Sequence, residues 1–175
     1  MIHELMNGRR LIFGCGNTLF GDDGFGPAVV ERLKQAGDLP SEVVAEDVGT
    51  SISDILFDIV LSQDRPDALW IVDAVSMPGR SPGQVFELPV ENIPQNKQAD
   101  FSMHQFPAVN LLQEMQDQAG VEVRVLAVQI EQVPDEVRPG LSRPVQEAIE
   151  TAVSILRREV CFPQEKSSEP AAPSK

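Results

Sequence analysis

The sequence predicts an α/β fold: a three-layer α/β/α sandwich with a mostly parallel, twisted sheet and one antiparallel edge strand. Short β-branched runs alternate with segments of helical period, which is the pattern of a parallel sheet covered by helices. One run, ALWIVDAV at residues 68–75, is almost wholly apolar, as expected of a strand buried on both faces. The chain has 175 residues, enough for a single domain, which we place at residues 1–162.

Apolar spacing and turn residues predict the individual elements. Ser51 with Asp54 resembles a capping box in front of an amphipathic helix, and Pro89 ends a strand that we expect at the sheet edge. Beyond residue 162 the chain is rich in Pro, Ser, Glu and Lys, so residues 163–175 are expected to form a disordered tail. The predicted strands are 11–13, 43–49, 68–75, 84–88 and 121–130, and the predicted helices are 27–33, 52–60, 107–115 and 145–156.

Composition and charge exclude several classes of partner. The chain has 27 acidic and 14 basic residues, a formal net charge of -13, so it lacks the cations that bind nucleic acid or an anionic membrane surface. Only 5% of the residues are aromatic, which argues against stacking on bases. No apolar run reaches the ~18 residues of a membrane span, and two cysteines do not make a disulfide framework. We therefore expect a cytoplasmic protein that binds neither nucleic acid nor membranes.

A glycine-rich loop, GCGNTLFGDDGFGP, follows the first strand at residues 14–27. A dinucleotide fingerprint would need glycine where Leu19 stands, and a Walker A loop would need a lysine. Two carboxylates just before the helix would also repel a pyrophosphate from its N-terminus. The sequence therefore predicts no nucleotide cofactor. Helix capping accounts for one of the two aspartates and leaves the other for a ligand. The loop residues that we expect to support such a site are Gly14, Gly16, Asn17, Asp22, Gly24 and Gly26.

Three polar side chains are predicted to meet at the carboxyl edge of the sheet. Asp23 follows the first strand, Asp73 ends the apolar run, and His104 stands shortly before a helix. Ligands of open parallel sheets bind at this edge, and an unpaired carboxylate at the end of a buried strand would cost several kcal/mol. Two carboxylates and one imidazole suit a borderline divalent metal such as nickel, zinc, manganese or iron. Three protein ligands leave coordination positions open for chemistry. The zinc-peptidase signature H-E-x-x-H is absent.

The glycine-rich run, the IVDA segment after an apolar strand and a lone histidine before a helix together resemble the hydrogenase maturation endopeptidases, over residues 11–155. The resemblance implies an enzyme that removes the C-terminal extension of a nickel–iron hydrogenase large-subunit precursor after nickel insertion. It also implies that Asp23, Asp73 and His104 contact the metal, and that the precursor supplies the nickel. Family members often carry Glu at the first of these positions, so Asp23 implies a shorter reach and the same charge.

The chemistry of such a site leaves two mechanisms open. Either the metal polarises the scissile carbonyl and activates water, or Asp23 or Asp73 acts as a general base, as in an aspartic-type endopeptidase. Cys15 is interpreted as a small buried filler and not as a nucleophile. Two other functions compete with the endopeptidase. One is a nickel-dependent hydrogenase assembly chaperone without peptidase chemistry. The other is a magnesium-dependent phosphohydrolase that uses Asp22, Asp23 and Asp73, which is weakened by the lack of Lys or Arg near the motifs.

Overall fold

The structure is a computed structural model that describes residue 6, residues 8–93 and residues 109–163. A 3₁₀ turn, Gly21–Gly24, precedes the first helix, a second one spans Val90–Asn92, and a π-helical turn, Arg157–Cys161, follows the last helix. The strands and helices in chain order are β1 (Arg10–Cys15), α1 (Phe25–Gln35), β2 (Val43–Gly49), α2 (Ile52–Leu61), β3 (Ala68–Val75), β4 (Val85–Leu88), α3 (Val109–Asp117), β5 (Glu122–Gln129) and α4 (Arg143–Leu156).

The strands form one sheet in the order β2-β1-β3-β5-β4. β2, β1, β3 and β5 are parallel, whereas β4 pairs antiparallel with β5 at one edge. Parallel neighbours need crossover connections, and α1 supplies one between β1 and β2. The carboxyl ends of β1, β2, β3 and β5 therefore share one edge of the sheet. This arrangement confirms the predicted sheet with its single antiparallel edge strand.

The two faces of the sheet carry separate apolar cores, which makes three layers. All eight residues of β3 are buried, because helices cover both faces of the sheet. Leu69 and Ile71 belong to the core under α2 and α3, whereas Trp70 and Val72 belong to the core under α1 and α4. Side chains alternate between the two faces of a strand, so Leu69 and Ile71 point to one face of the sheet and Trp70 and Val72 to the other. The α/β/α sandwich predicted from the sequence is confirmed.

The structure differs from the prediction in local detail. α1 begins at Phe25 rather than at residue 27, because the preceding loop already turns helically at Gly21–Gly24. The capping box before α2 was wrong: Ser51 occupies the N-cap position, but its side chain makes no capping hydrogen bond. Its backbone, with φ -91° and ψ 12°, departs from the extended conformation typical of a capping residue. Element existence was thus easier to predict than the contacts at element ends.

Two predicted features lie outside the described residues. They are the residues around His104 with the start of the helix at 107, and the tail after residue 163. In the part of the chain that the structure describes, no helix combines the length and the apolar character needed to cross a bilayer.

Candidate functional site

The carboxyl ends of β1 and β3 place Cys15 beside Asp73. Gly14 of β1 pairs with Val72 of β3, so the next residue of each strand lies at the same level. Asp73 is only 4% exposed, and its Oδ1 accepts a hydrogen bond of 2.7 Å from the Ala74 N–H. β3 has its predicted bounds and continues along β5 to Val75, so Asp73 lies two residues before the end of its strand and not at the last position expected from the sequence. Asp73 nevertheless lies level with the last residue of β1, so β1 does not flank the part of β3 that follows it.

Asp23 reaches the same edge from the glycine-rich loop. Its side chain is 2% exposed, and its Oδ2 accepts a hydrogen bond of 2.7 Å from the Asn17 N–H. Gly16 has a φ of +125°, and a Cβ there would lie 1.9 Å from the Asp23 carbonyl oxygen and 3.5 Å from its Cγ. Only glycine allows the loop to fold this tightly over Asp23.

Two further glycines bring α1 onto the sheet. A Cβ on Gly26 would lie 2.3 Å from the Cys15 carbonyl oxygen and 2.4 Å from that of Val72, and one on Gly14 would lie 2.4 Å from the Gly26 oxygen. The first turn of α1 therefore rests on the backbone of β1 and β3 without side chains between them. Because Asp23 precedes this contact by only three residues, the close approach fixes it next to Asp73 and Cys15.

Asp22 has a different role from its neighbour. It is fully buried and accepts hydrogen bonds from the backbone N–H groups of Glu131, Gln132 and Ser142 at 2.9, 3.3 and 2.6 Å. The Ser142 hydroxyl adds a fourth bond at 2.9 Å. The expectation that capping explains one aspartate was wrong, since the residue at the N-cap of α1 is Gly24 and no side chain caps it. Asp22 instead anchors residues 131–142, and this leaves the phosphohydrolase without one of its three proposed ligands.

The thiol of Cys15 lies among several carboxylates. Burial first, and then the charges of Asp73, Asp47 and Asp23, raise the pKa of Cys15 well above its ordinary value of 9.0. The thiol is therefore protonated at neutral pH, which agrees with its interpretation as a buried filler and opposes a thiolate nucleophile. The same interactions show that all three carboxylates stand close to one point of the edge.

Asp47 is the site residue that the sequence reasoning missed. It lies in β2 opposite Gly14, and its Oδ1 accepts a hydrogen bond of 2.9 Å from the Gly49 N–H. Unlike Asp23 and Asp73, Asp47 is exposed. A signal was present, because Asp47 stands near the carboxyl end of a predicted strand and is followed by a glycine turn, as at the other site residues. The site thus contains two buried carboxylates and one exposed carboxylate.

This edge is suited to a cation or to a positively charged reacting group. Buried carboxylates close to one another disfavour their own ionisation, and a positive partner relieves that penalty. His104, the proposed third contact, lies outside the described residues. Within residues 6, 8–93 and 109–163, no group of three His, Cys, Asp or Glu side chains is arranged to hold a metal ion. The structure therefore brings Asp23 and Asp73 together, and the contribution of His104 stays a prediction.

Comparison with known proteins gives one consistent family. The sequence profile of the hydrogenase maturation protease family matches residues 27–159. A protein of Methanocaldococcus jannaschii classed among these proteases is 35% identical over 152 residues, which cover 86% of this chain and 95% of that protein. The hydrogenase 3 maturation protease of Escherichia coli K12 is 30% identical over 143 residues, 81% of this chain and 84% of that protein.

A solved structure gives the same answer. The hydrogenase-maturating endopeptidase HybD from E. coli superposes with a TM-score of 0.66 at 28% identity, covering 85% of this chain and 92% of HybD. The likeness covers most of both chains, so it includes the sheet and the helices that build the carboxylate edge. The chain belongs to the hydrogenase maturation protease family and is a hydrolase of the endopeptidase type.

Proposed function

We propose that this endopeptidase removes the C-terminal extension of a nickel–iron hydrogenase large-subunit precursor after nickel has been inserted. The observation that carries the proposal is the pair of buried carboxylates, Asp23 and Asp73, at one edge of the sheet. The names of the relatives support a role in hydrogenase maturation. Both cysteines are free thiols, which suits a reducing compartment, so we place the reaction in the cytoplasm.

Recognition is proposed to use the nickel of the precursor. Asp23, Asp73 and His104 would contact this ion, and a set of two carboxylates and one imidazole suits nickel. α3 runs directly into β5, so its first residue, Val109, lies towards the carboxyl edge of the sheet. Residue 104 precedes Val109 by five positions, which an extended chain covers in about 17 Å. The proposal requires this link to return His104 to the two carboxylates.

Nickel dependence would follow from differential affinity. A precursor without nickel offers no cation to the buried carboxylates, so it gains less from docking than the loaded precursor does. Each difference of about 1.4 kcal/mol changes the affinity ratio tenfold. The enzyme can therefore reject unloaded precursors without a separate sensor.

Hydrolysis needs a base that takes a proton from the attacking water. Asp23 and Asp73 are the bases expected from the sequence, and polarisation of the scissile carbonyl by the precursor's metal is the other route. Asp47 adds a third possibility, because a carboxylate that contacts the metal is less basic than one that does not. Its exposure leaves it accessible to water at the same edge. Cys15 takes no part, since its thiol stays protonated.

The test is a processing assay with purified, unprocessed large subunit in nickel-loaded and nickel-free forms. The wild-type enzyme should shorten only the loaded form, and an Asp23→Asn/Asp73→Asn double variant should be at least 100-fold slower. An Asp54→Asn/Asp58→Asn variant, altered at two exposed positions of α2, is the matched control and should cleave normally. Equal cleavage of both precursor forms would refute nickel recognition, and normal cleavage by the first double variant would refute the site.

The assembly chaperone without peptidase chemistry predicts a different result. The loaded precursor would bind but keep its full length, which mass spectrometry resolves directly. Membership of a protease family favours cleavage.

A further inference from the structure

A groove of about 560 Å³ runs along α1 on the side of β2 and ends at the carboxylate edge. Thr18 and Asp47 line the end of the groove at the carboxylate edge, and Pro27, Ala28 and Gln35 of α1 lie along its length. Residues 27 to 35 of a helix cover about 12 Å, which matches roughly four residues of extended chain. The site proposed above does not use the groove beyond Asp47.

The groove borders a free strand edge. β2 pairs with β1 on one side, and among the described residues no strand pairs with it on the other. Arg10 pairs with Val43 and donates its N–H to the Glu42 carbonyl, so the backbone groups of Ala45 and Asp47 face outward. An exposed edge of this kind can pair with an extended peptide.

An ion pair partly covers this edge. Lys34 Nζ of α1 and Glu46 Oε2 of β2 lie 2.6 Å apart. Ala45 packs in the core under α1, so the side chain of the adjacent Glu46 leaves β2 on the opposite face. The ion pair between Glu46 and Lys34 therefore crosses the outer edge of β2. Both side chains are about half exposed, at 45% and 56%, so the pair contributes little and an incoming chain can displace it.

We propose that the groove binds the C-terminal extension of the precursor as an extended segment along β2, on the leaving side of the scissile bond. The inference rests on the proposed function. The groove holds about four residues of extended chain and begins beside the carboxylates, so it fits the segment that follows the scissile bond, which under the proposed function is the extension. Pro27, Ala28 and Val30 offer apolar contacts, and Glu31 favours a basic side chain in the segment, whereas the charge of Lys34 is matched by Glu46.

The first experiment fills the groove at a position away from the carboxylates. Gln35→Trp should raise the KM for nickel-loaded precursor at least tenfold and leave kcat within twofold, because it obstructs binding without touching the reacting groups. Gln146→Trp, the same change at an exposed position of α4, is the control and should leave both values unchanged. An unchanged KM in a folded Gln35→Trp enzyme would overturn the proposal.

The second experiment does not require the fold to accept a large side chain at position 35. A benzophenone amino acid replaces Glu31 in the otherwise wild-type enzyme, which is irradiated immediately after mixing with the nickel-loaded precursor, so that the extension is captured before or after its cleavage. Mass spectrometry should locate the crosslink in the C-terminal extension, whereas the same amino acid at position 146 should give none. A crosslink confined to the mature part of the precursor, or no crosslink above that control, would overturn the proposal.

The two proposals fail in different ways. If the wild-type enzyme does not shorten the loaded precursor, the proposed function is wrong. If it does, and either groove experiment matches its control, only the groove assignment is wrong.

Discussion

Asp22 and Asp23 are adjacent in the sequence, yet replacing Asp22 should mainly lower the stability of the protein, whereas replacing Asp23 should mainly lower its activity. Asp22→Ala removes the acceptor of four hydrogen bonds that join the glycine-rich loop to residues 131–142. Hydrogen bonds to a charged group contribute about 1.5–3 kcal/mol each. Glu131 and Gln132 are exposed, so water can replace their lost partner, and we count mainly the two bonds from Ser142. The free energy of unfolding should therefore fall by about 3–6 kcal/mol.

Asp23→Asn should change stability very little. The amide oxygen of the new side chain can still accept the hydrogen bond from the Asn17 N–H. The substitution also removes one of the negative charges that act on the Cys15 thiol. We expect the free energy of unfolding to stay within about 1 kcal/mol of the wild-type value. Cleavage of nickel-loaded precursor should nevertheless fall at least 100-fold, since under the proposed function Asp23 supplies a charge that contacts the nickel.

Urea unfolding followed by circular dichroism measures the first effect, provided that the slope of free energy against urea stays constant. The processing assay, expressed per folded molecule, measures the second effect. Asp22→Ala should retain more activity per folded molecule than Asp23→Asn does. Equal stability losses in the two variants, or a larger activity loss in Asp22→Ala, would refute the division of roles between these aspartates.

Three further predictions concern the same edge. Gly26→Ala should cost about 3 kcal/mol of stability, because its Cβ would overlap backbone atoms 2.3–2.5 Å away. The control is Gly37→Ala, at a position in open space with a φ of +69°, which should cost about 1 kcal/mol. Equal losses of the two variants in urea unfolding would contradict the close approach of Gly26 to the sheet. Cys15→Ala should still cleave precursor. Because the folded-state pKa of the thiol is raised, its stabilising contribution is complete below pH 9.0 and is lost at higher pH. The wild type should therefore lose up to about 1.4 kcal/mol per pH unit more than Cys15→Ala above pH 9.0, and parallel urea-unfolding profiles would count against a buried neutral thiol. Asp47→Asn should lower kcat at least tenfold with little change in KM, and an unchanged kcat in the processing assay would exclude Asp47 as the base.

The sequence predicted the layers of the fold because their signals are local. The ALWIVDAV run is apolar at almost every position, which only a strand covered on both faces requires, and β3 has the predicted bounds. Pro89 correctly marked the end of an edge strand at Leu88. The last helix, predicted at 145–156, begins only two residues earlier, at Arg143, with a serine at its N-cap and a proline in its first turn.

The roles of the two loop aspartates were not predictable in the same way. Asp22 and Asp23 share a local environment in the sequence, and both are almost fully buried. What separates them is the segment 131–142, more than 100 positions away, which supplies the four hydrogen bonds that Asp22 accepts from described residues. Asp47 was missed for a related reason: its relevance depends on the pairing of β2 with β1, which brings it opposite Gly14. Such tertiary pairings leave no mark within a short window of sequence.

The structure also explains why several glycines accompany the carboxylates. Gly14 and Gly26 remove the side chains that would otherwise separate α1 from β1 and β3, so the helix start and the strand ends approach at backbone distance. The same approach brings two carboxylates, Asp23 and Asp73, together in a buried place where like charges are unfavourable, and the backbone contacts hold the loop there. A cation that arrives with the precursor reduces the repulsion at the moment of docking. Under the proposed function, the charge cost built into the free enzyme is thus part of what makes a nickel-loaded precursor the preferred substrate.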